Sequence, residues 1–396
     1  MVSAPGRFTC VEEVLERARG LVERYEKEAR RLIPAGATLF DAHVHVGRDI
    51  DGMVAPYEDL AAFLQRWDVE RAFAFCLDEP DREPAFRAAN DRTLKAAARS
   101  EGLLVPFVRL DLSASPMEEA VRALDAGARG IKLHPRAQGF LLNDQRLEPV
   151  FALASERRVP ILIHGGRGLP PIAESLLALH DAYPDSSLII AHAGIADLAA
   201  LSDCFTGRPG VYFDTSVWSP IDLMDMFSRI SPGQVLYASD YPYGQQPGAL
   251  LLSLRTALVA GLSEEEVRDM LGRSAARIAD GEPPTPLTEP RGPRRLEQPL
   301  TFARIHHYLA MATPLLWTRQ ADTIGVLGLA LNACAERDGH VEARERIAEL
   351  LAAARDLWRT LPEAEDDAEV RALSRATFRL LHVAEILTLT VDAEDA

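Results

Sequence analysis

The chain has 396 residues, 47% hydrophobic and 26% charged, a balance that suits a globular protein and excludes wholesale disorder or a collagen-like repeat. With 43 basic against 59 acidic residues its net charge is −16, which argues against nucleic acid or an anionic membrane as partner. No apolar run reaches the ~18 to 20 residues of a membrane span, the first residues lack the apolar core of a secretory signal, and Cys10, Cys76, Cys204 and Cys334 have no zinc or disulfide spacing, so a cytoplasmic location is expected.

Residues 11 to 33 place Val11, Leu15, Ala18, Val22, Tyr25, Ala29 and Leu32 at alternating four- and three-residue steps, which predicts an amphipathic helix in a leading segment, 1–37. Eight short apolar runs follow, at 38–46, 70–77, 103–110, 128–134, 159–164, 187–192, 210–216 and 234–240, with helical patterns between them. Their ends lie about 24 to 33 residues apart, as βα units require. A (β/α)8 TIM barrel over 38–280 is therefore expected, close to the ~250 residues usual for that fold. Residues 281–300 carry six prolines and read as a linker. Beyond it, 301–318, 320–337, 341–360 and 367–390 are rich in Ala, Leu, Glu and Arg and predict an all-α accessory domain, 301–396, with a frayed acidic end.

In a parallel barrel, functional side chains gather where the strands end. Strand one ends in Asp41-Ala42-His43-Val44-His45, and the two-residue period sends His43 and His45 the same way. Strand five ends at His164, strand six at His192 and strand eight at Asp240. Four imidazoles and a carboxylate converging on one rim predict a divalent metal site, with Zn2+ foremost and Mn2+ or Fe2+ also suited. Lys132 and His134 share the inward parity of strand four; Lys132 suits a buried ion pair with Asp41 or another barrel carboxylate, and His134 either a substrate contact or the turn before Pro135. Arg48, Arg136 and Arg167 follow strands one, four and five and point to an anionic small-molecule substrate. Trp218 and Tyr243, after strands seven and eight, suit stacking on a ring or covering the barrel. His180, His306, His307, His340 and His382 read as structural, and no GxSxG elbow or complete phosphate loop is present.

The segments DAHVH, GIKLHP, VPILIHGG, LIIAHAG and LYASDYPYG, in that order across 38–280, resemble the amidohydrolase superfamily, in its amidohydrolase-2 or decarboxylase-like branch. That resemblance implies that His43, His45, His164 and Asp240 bind one divalent ion and that His192 is the catalytic histidine, with Asp240 also accepting a proton. It implies hydrolysis of a small amide, lactone or ester-like bond by metal-activated water, with nonoxidative decarboxylation as the alternative; in some branches of the superfamily a carboxylated strand-four lysine, here Lys132, bridges two metals. A non-catalytic metal-stabilised scaffold is the alternative from another class. The helical domain is expected either to mediate homo-oligomerisation or to cover the active site.

Overall fold

The computed structural model describes residues 11–293, 297–318, 320, 322–336 and 339–391. Cys10, the start of the leading segment, parts of the proline-rich stretch and of the 320–337 segment, and the acidic end after Val391 lie outside the described residues. Eight parallel strands form the ring: β1 Leu39–Arg48, β2 Val69–Cys76, β3 Leu104–Arg109, β4 Gly130–Leu133, β5 Ile161–Ile163, β6 Leu188–Ile190, β7 Val211–Asp214 and β8 Val235–Leu236. Each falls inside or within two residues of one of the eight predicted runs. The ring closes between β1 and the chain leaving β8: Ala42 N–H donates to Tyr237 O at 2.9 Å, Asp240 N–H to His43 O at 2.9 Å and His45 N–H to Tyr241 O at 2.8 Å. A two-residue strand, Val54–Ala55, pairs antiparallel with the end of β1.

Alternation along the strands fills the barrel with Phe40, Phe73, Phe107, Leu162, Ile189 and Leu236 among others. Counting on by twos carries the inward face up to Arg109, Lys132, His134, His164, Asp214 and Asp240. Strand β1 breaks this count. Phe40 and Ala42 face the interior, so an unbroken strand would turn His43 and His45 outward. A register shift between Asp41 and Val44 intervenes, and both rings pack on the interior Phe75, at 5.0 and 4.7 Å between centroids. This irregularity re-aims the two imidazoles into the barrel mouth.

The four later helices are Leu300–Trp317, Thr323–Cys334, Val341–Thr360 and Asp367–Leu389. The leading helix, Val11–Leu32, buries Val14, Ala18, Leu21, Val22, Tyr25 and Ala29 against the last two, and Arg17 pairs with Asp356 at 3.0 Å. The proline-rich stretch has no regular element among its described residues, yet it is pinned to the barrel: Thr288 N–H donates to Ser231 Oγ, and Arg291 reaches Glu266 at 3.0 Å. No helix among the described residues is long and apolar enough to cross a membrane.

The helix Asp367–Leu389 starts at Asp366, whose carboxylate accepts the Ala368 and Glu369 N–H groups. It docks on the barrel through His382, which stacks on Trp218 at 3.9 Å and donates from Nε2 to the Trp218 carbonyl at 3.0 Å. Gly248 permits this approach, since a Cβ there would stand 2.5 Å from His382 Nδ1. Burial pushes the His382 imidazole down to about 4 from 6.5. The unfolded chain therefore takes up this proton first as pH falls, so the stability from the neutral ring is complete above about 6.5 and is lost on the way down to about 4. Compared with the parent, His382→Gln is expected to lose less stability between pH 7 and pH 4, by up to about 3 kcal/mol. Urea denaturation of both proteins at the two pH values checks this.

Candidate active site

Three groups meet at the closing seam. His43 Nε2 and His45 Nε2 approach the same Asp240 oxygen, Oδ1, at 3.3 and 3.1 Å. One ligand atom from each lies within 4.8 Å of the other two. His43 and His45 are buried and Asp240 is partly buried. Asp240 sits at φ 57°, a left-handed conformation that aspartate adopts more readily than most residues and that turns its carboxylate over the barrel.

The orientation of His43 is fixed from behind. Its Nδ1 lies 2.8 Å from Asp214 Oδ2, and since a carboxylate only accepts, the ring proton is on Nδ1 and Nε2 carries a lone pair. That lone pair faces a carboxylate oxygen, an arrangement of two acceptors that a cation between them satisfies. Burial drives the His43 and His45 imidazoles toward the neutral form. For Asp240 burial acts to raise the pKa, but the neighbouring His43 and the hydrogen bond from His45 outweigh it and hold the carboxyl below its usual range. Neutral imidazoles and an ionised carboxylate are the protonation states that a divalent ion requires.

Asp214, at the end of β7, joins this group to His192. Its Oδ1 accepts the His192 backbone N–H at 2.8 Å, the Ser216 N–H at 3.1 Å and the Ser216 hydroxyl. His192 Nδ1 stands 2.8 Å from the Ser216 carbonyl. A carbonyl only accepts, so Nδ1 holds the proton and Nε2 is the atom left free for proton transfer. His192 and Ala193 both have positive φ, 57° and 54°, which swings the imidazole out of the β6 alternation and into the mouth.

His164 lies edge-on to His192, with ring centroids 4.6 Å apart, and stacks on His134 at 4.0 Å. Its Nε2 is buried without a hydrogen-bond partner, as an imidazole awaiting a ligand would be. Burial, with His192 and Lys132 nearby, holds its pKa far below the usual imidazole value. Among the described residues the tight three-atom group contains His43, His45 and Asp240 but not His164. Gly166 lies against both rings, and a Cβ there would stand 2.9 Å from His164 Nε2 and 3.2 Å from His192 Cδ2. Gly166→Ala is thus expected to displace His164 while circular dichroism stays parental, and, on the reading that His164 completes the ligand set, to weaken metal binding about tenfold. Metal titration of the two proteins measures the difference.

His134 Nδ1 accepts the Ala137 N–H at 3.2 Å, the turn-shaping alternative raised above. Neither Asp41 nor another barrel carboxylate forms an ion pair with Lys132 among the described residues: its Nζ has no hydrogen-bond partner and sits 4.5 Å over the Phe75 ring, and burial lowers the amine to about 7. The carboxylate of Asp41 instead accepts the Ser239 and His43 N–H groups, clamping β1 to the chain after β8.

The three rim arginines differ. Arg48 is exposed at the end of β1. Arg136 donates to the Arg167 carbonyl, and Arg167 meets both Asp222 oxygens at 2.9 and 2.7 Å. An arginine outside the sequence expectation, Arg109, ends β3 on the inward face. It is buried, its backbone N–H and C=O are both held by Asn90, and its Nε and Nη2 have no hydrogen-bond partner. Tyr243 covers His45 edge-on at 5.8 Å and donates its hydroxyl to Asp49 at 2.9 Å.

A cavity of about 710 Å³ opens over His164 and His192. Its far walls belong to the later helices, through His306, Trp317 and Glu385, with Trp218 between the two parts. Sequence reasoning did not find Asp214, Ser216, Arg109 or Glu385, and it gave His306 a structural role. Asp214 and Arg109 carried a usable signal, since each stands two residues beyond an inward aromatic, Tyr212 and Phe107. Nothing local marks Glu385, which looks like any polar position on an amphipathic helix.

Residues 40–278 match the family model described as amidohydrolase. No curated protein matches the chain. Solved structures similar to part of it include IDCase from Metarhizium anisopliae in its apo form, with 15% identity and a TM-score of 0.46, covering 62% of this chain and 98% of that one. Another is 4-oxalomesaconate hydratase from Rhodopseudomonas palustris, with 16% identity and a TM-score of 0.47, covering 61% of this chain and 96% of that one.

Proposed function

Since the chain belongs to the amidohydrolase family, whose model it matches over residues 40–278, we propose that this enzyme hydrolyses a small amide, lactone or ester-like substrate at a single divalent metal centre. His43, His45 and Asp240 would hold the ion, with His164 completing the set, and Zn2+ best fits imidazole and carboxylate donors without thiolate. The observation that carries this reading is the lone pair of His43 Nε2 facing the Asp240 oxygen at 3.3 Å, with Nδ1 fixed on Asp214 behind it. A divalent ion held there supplies Lewis acidity that activates water and polarises the bond to be cleaved.

The chain's own residues do the rest. Asp240, ionised beside the imidazoles, takes up a proton from the attacking water. His192, its Nδ1 proton committed to the Ser216 carbonyl, has a free lone pair on Nε2 that takes over the proton Asp240 removes from water and delivers it to the departing group. Asp214 keeps His43 and His192 in one geometry by bonding to both. The cavity takes the substrate, and its helical walls keep bulk water from one side. A carboxylate on the substrate is part of the reading through the rim arginines, although Arg167 must exchange Asp222 to bind it.

The test is product analysis on metal-loaded enzyme with a panel of small amides, lactones and esters. Hydrolysis without carbon dioxide is the expected outcome. Carbon dioxide release from a carboxylated member of the panel would assign decarboxylation to the same residues.

A further inference from the structure

Glu385 lies on the helix Asp367–Leu389, 3% exposed, and yet it lines the cavity above His164 and His192. Its Oε2 accepts the indole N–H of Trp218 at 3.0 Å. On the other side His306 Nδ1 stands 3.8 Å from Oε1. That imidazole is pushed toward the neutral form by burial and by the adjacent His307, so it is a poor counter-ion. Burial raises the Glu385 carboxyl to about 7 against the Trp218 hydrogen bond, with Asp222, of like sign, adding a smaller push. Among the described residues no lysine or arginine pairs with Glu385, and the one arginine lining the cavity, Arg167, is held by Asp222. A buried carboxyl without a counter-cation is costly, and where it borders a cavity the missing partner is a candidate ligand.

The surrounding walls say which ligand. Trp218 and Trp317 both line the cavity, with Ala310 and Pro314 between the polar groups. Indole rings attract organic cations through their quadrupoles; His382 covers one face of Trp218, which leaves its other face and the exposed Trp317 ring, and the Glu385 carboxylate at the Trp218 N–H edge supplies the formal charge. We infer that the helical side of this cavity is a subsite for an alkylammonium or amidinium group, held by the Glu385 carboxylate, with Trp218 and Trp317 in the same lining. Such a group is the end of the substrate remote from the bond cleaved; only that last identification rests on the hydrolase reading. The helical segment thereby contributes specificity to the site as well as covering it.

Calorimetric titration of the full-length protein at pH 8, where Glu385 is ionised, tests the subsite with n-butylammonium, butyrate and 1-butanol as probes. Butylammonium is expected to bind at least about tenfold more tightly than the other two, and Glu385→Gln to remove about tenfold of that affinity, the scale of one charge-assisted hydrogen bond. Trp317→Leu changes a ring that is 63% exposed and so spares the fold; it is expected to weaken butylammonium about threefold. It decides the matter if the glutamine variant does not fold. Butylammonium binding no better than butanol, or binding undiminished in the variants, would overturn the subsite and leave Glu385 a structural carboxyl. The titration needs no turnover, so its outcome is independent of whether the enzyme hydrolyses the panel.

Discussion

The double variant His43→Ala/His45→Ala is expected to lose essentially all bound metal and all activity while keeping its helical content. Both imidazoles are buried at the seam and both face Asp240 Oδ1, so removing them leaves one carboxylate and the more distant His164. Two remaining donors hold a divalent ion too weakly to survive purification. Their loss leaves cavities beside Phe75 but breaks no strand pairing, because the β1 hydrogen bonds across the seam are made by backbone. Elemental analysis and circular dichroism on the same sample separate the two effects. A variant that retained parental metal content would show that the ion is held elsewhere.

Asp214→Asn is expected to be nearly as damaging, although Asp214 reaches the candidate metal site only through His43 and His192. The carboxylate accepts from His43 Nδ1, the His192 N–H, the Ser216 N–H and the Ser216 hydroxyl. An amide offers one accepting oxygen and turns two N–H groups toward donors, so part of this cluster is left unsatisfied at a cost of about 1 to 3 kcal/mol for each buried donor. The His43 tautomer loses its anchor, and metal affinity is expected to fall about 10- to 100-fold. Competition with a chelator of known affinity measures that fall, and chemical denaturation measures the stability term. Parental affinity in a folded Asp214→Asn protein would remove Asp214 from the site's support.

The barrel was legible because each parallel strand, covered on both faces, reads as a short apolar run between helical patterns. GVYFDTS and SLIIAH show this without any side-chain knowledge. The polar strand ends at His43, His45, His164, His192 and Asp240 were legible for the same reason, as histidines and a carboxylate interrupting apolar runs. How His43 and His45 come to face inward was not. The register shift between Asp41 and Val44 reverses the alternation set by Phe40, and no residue in the segment announces it. His192 is turned by two residues of left-handed backbone, alanine among them, which no propensity would predict. The helical walls of the cavity were the least legible. Trp218 and Glu385 meet across 167 residues of sequence, and only the docking of one helix on the loop after β7 brings them together.

The most direct measurement is the metal content of the purified full-length protein, by elemental analysis before and after incubation with Zn2+ and Mn2+. About one divalent ion per chain is expected, as three or four converging imidazole and carboxylate donors require. Two ions per chain would contradict a single-ion centre and bring the unpaired Lys132 into the site. No ion under either condition would contradict the metal-dependent mechanism altogether.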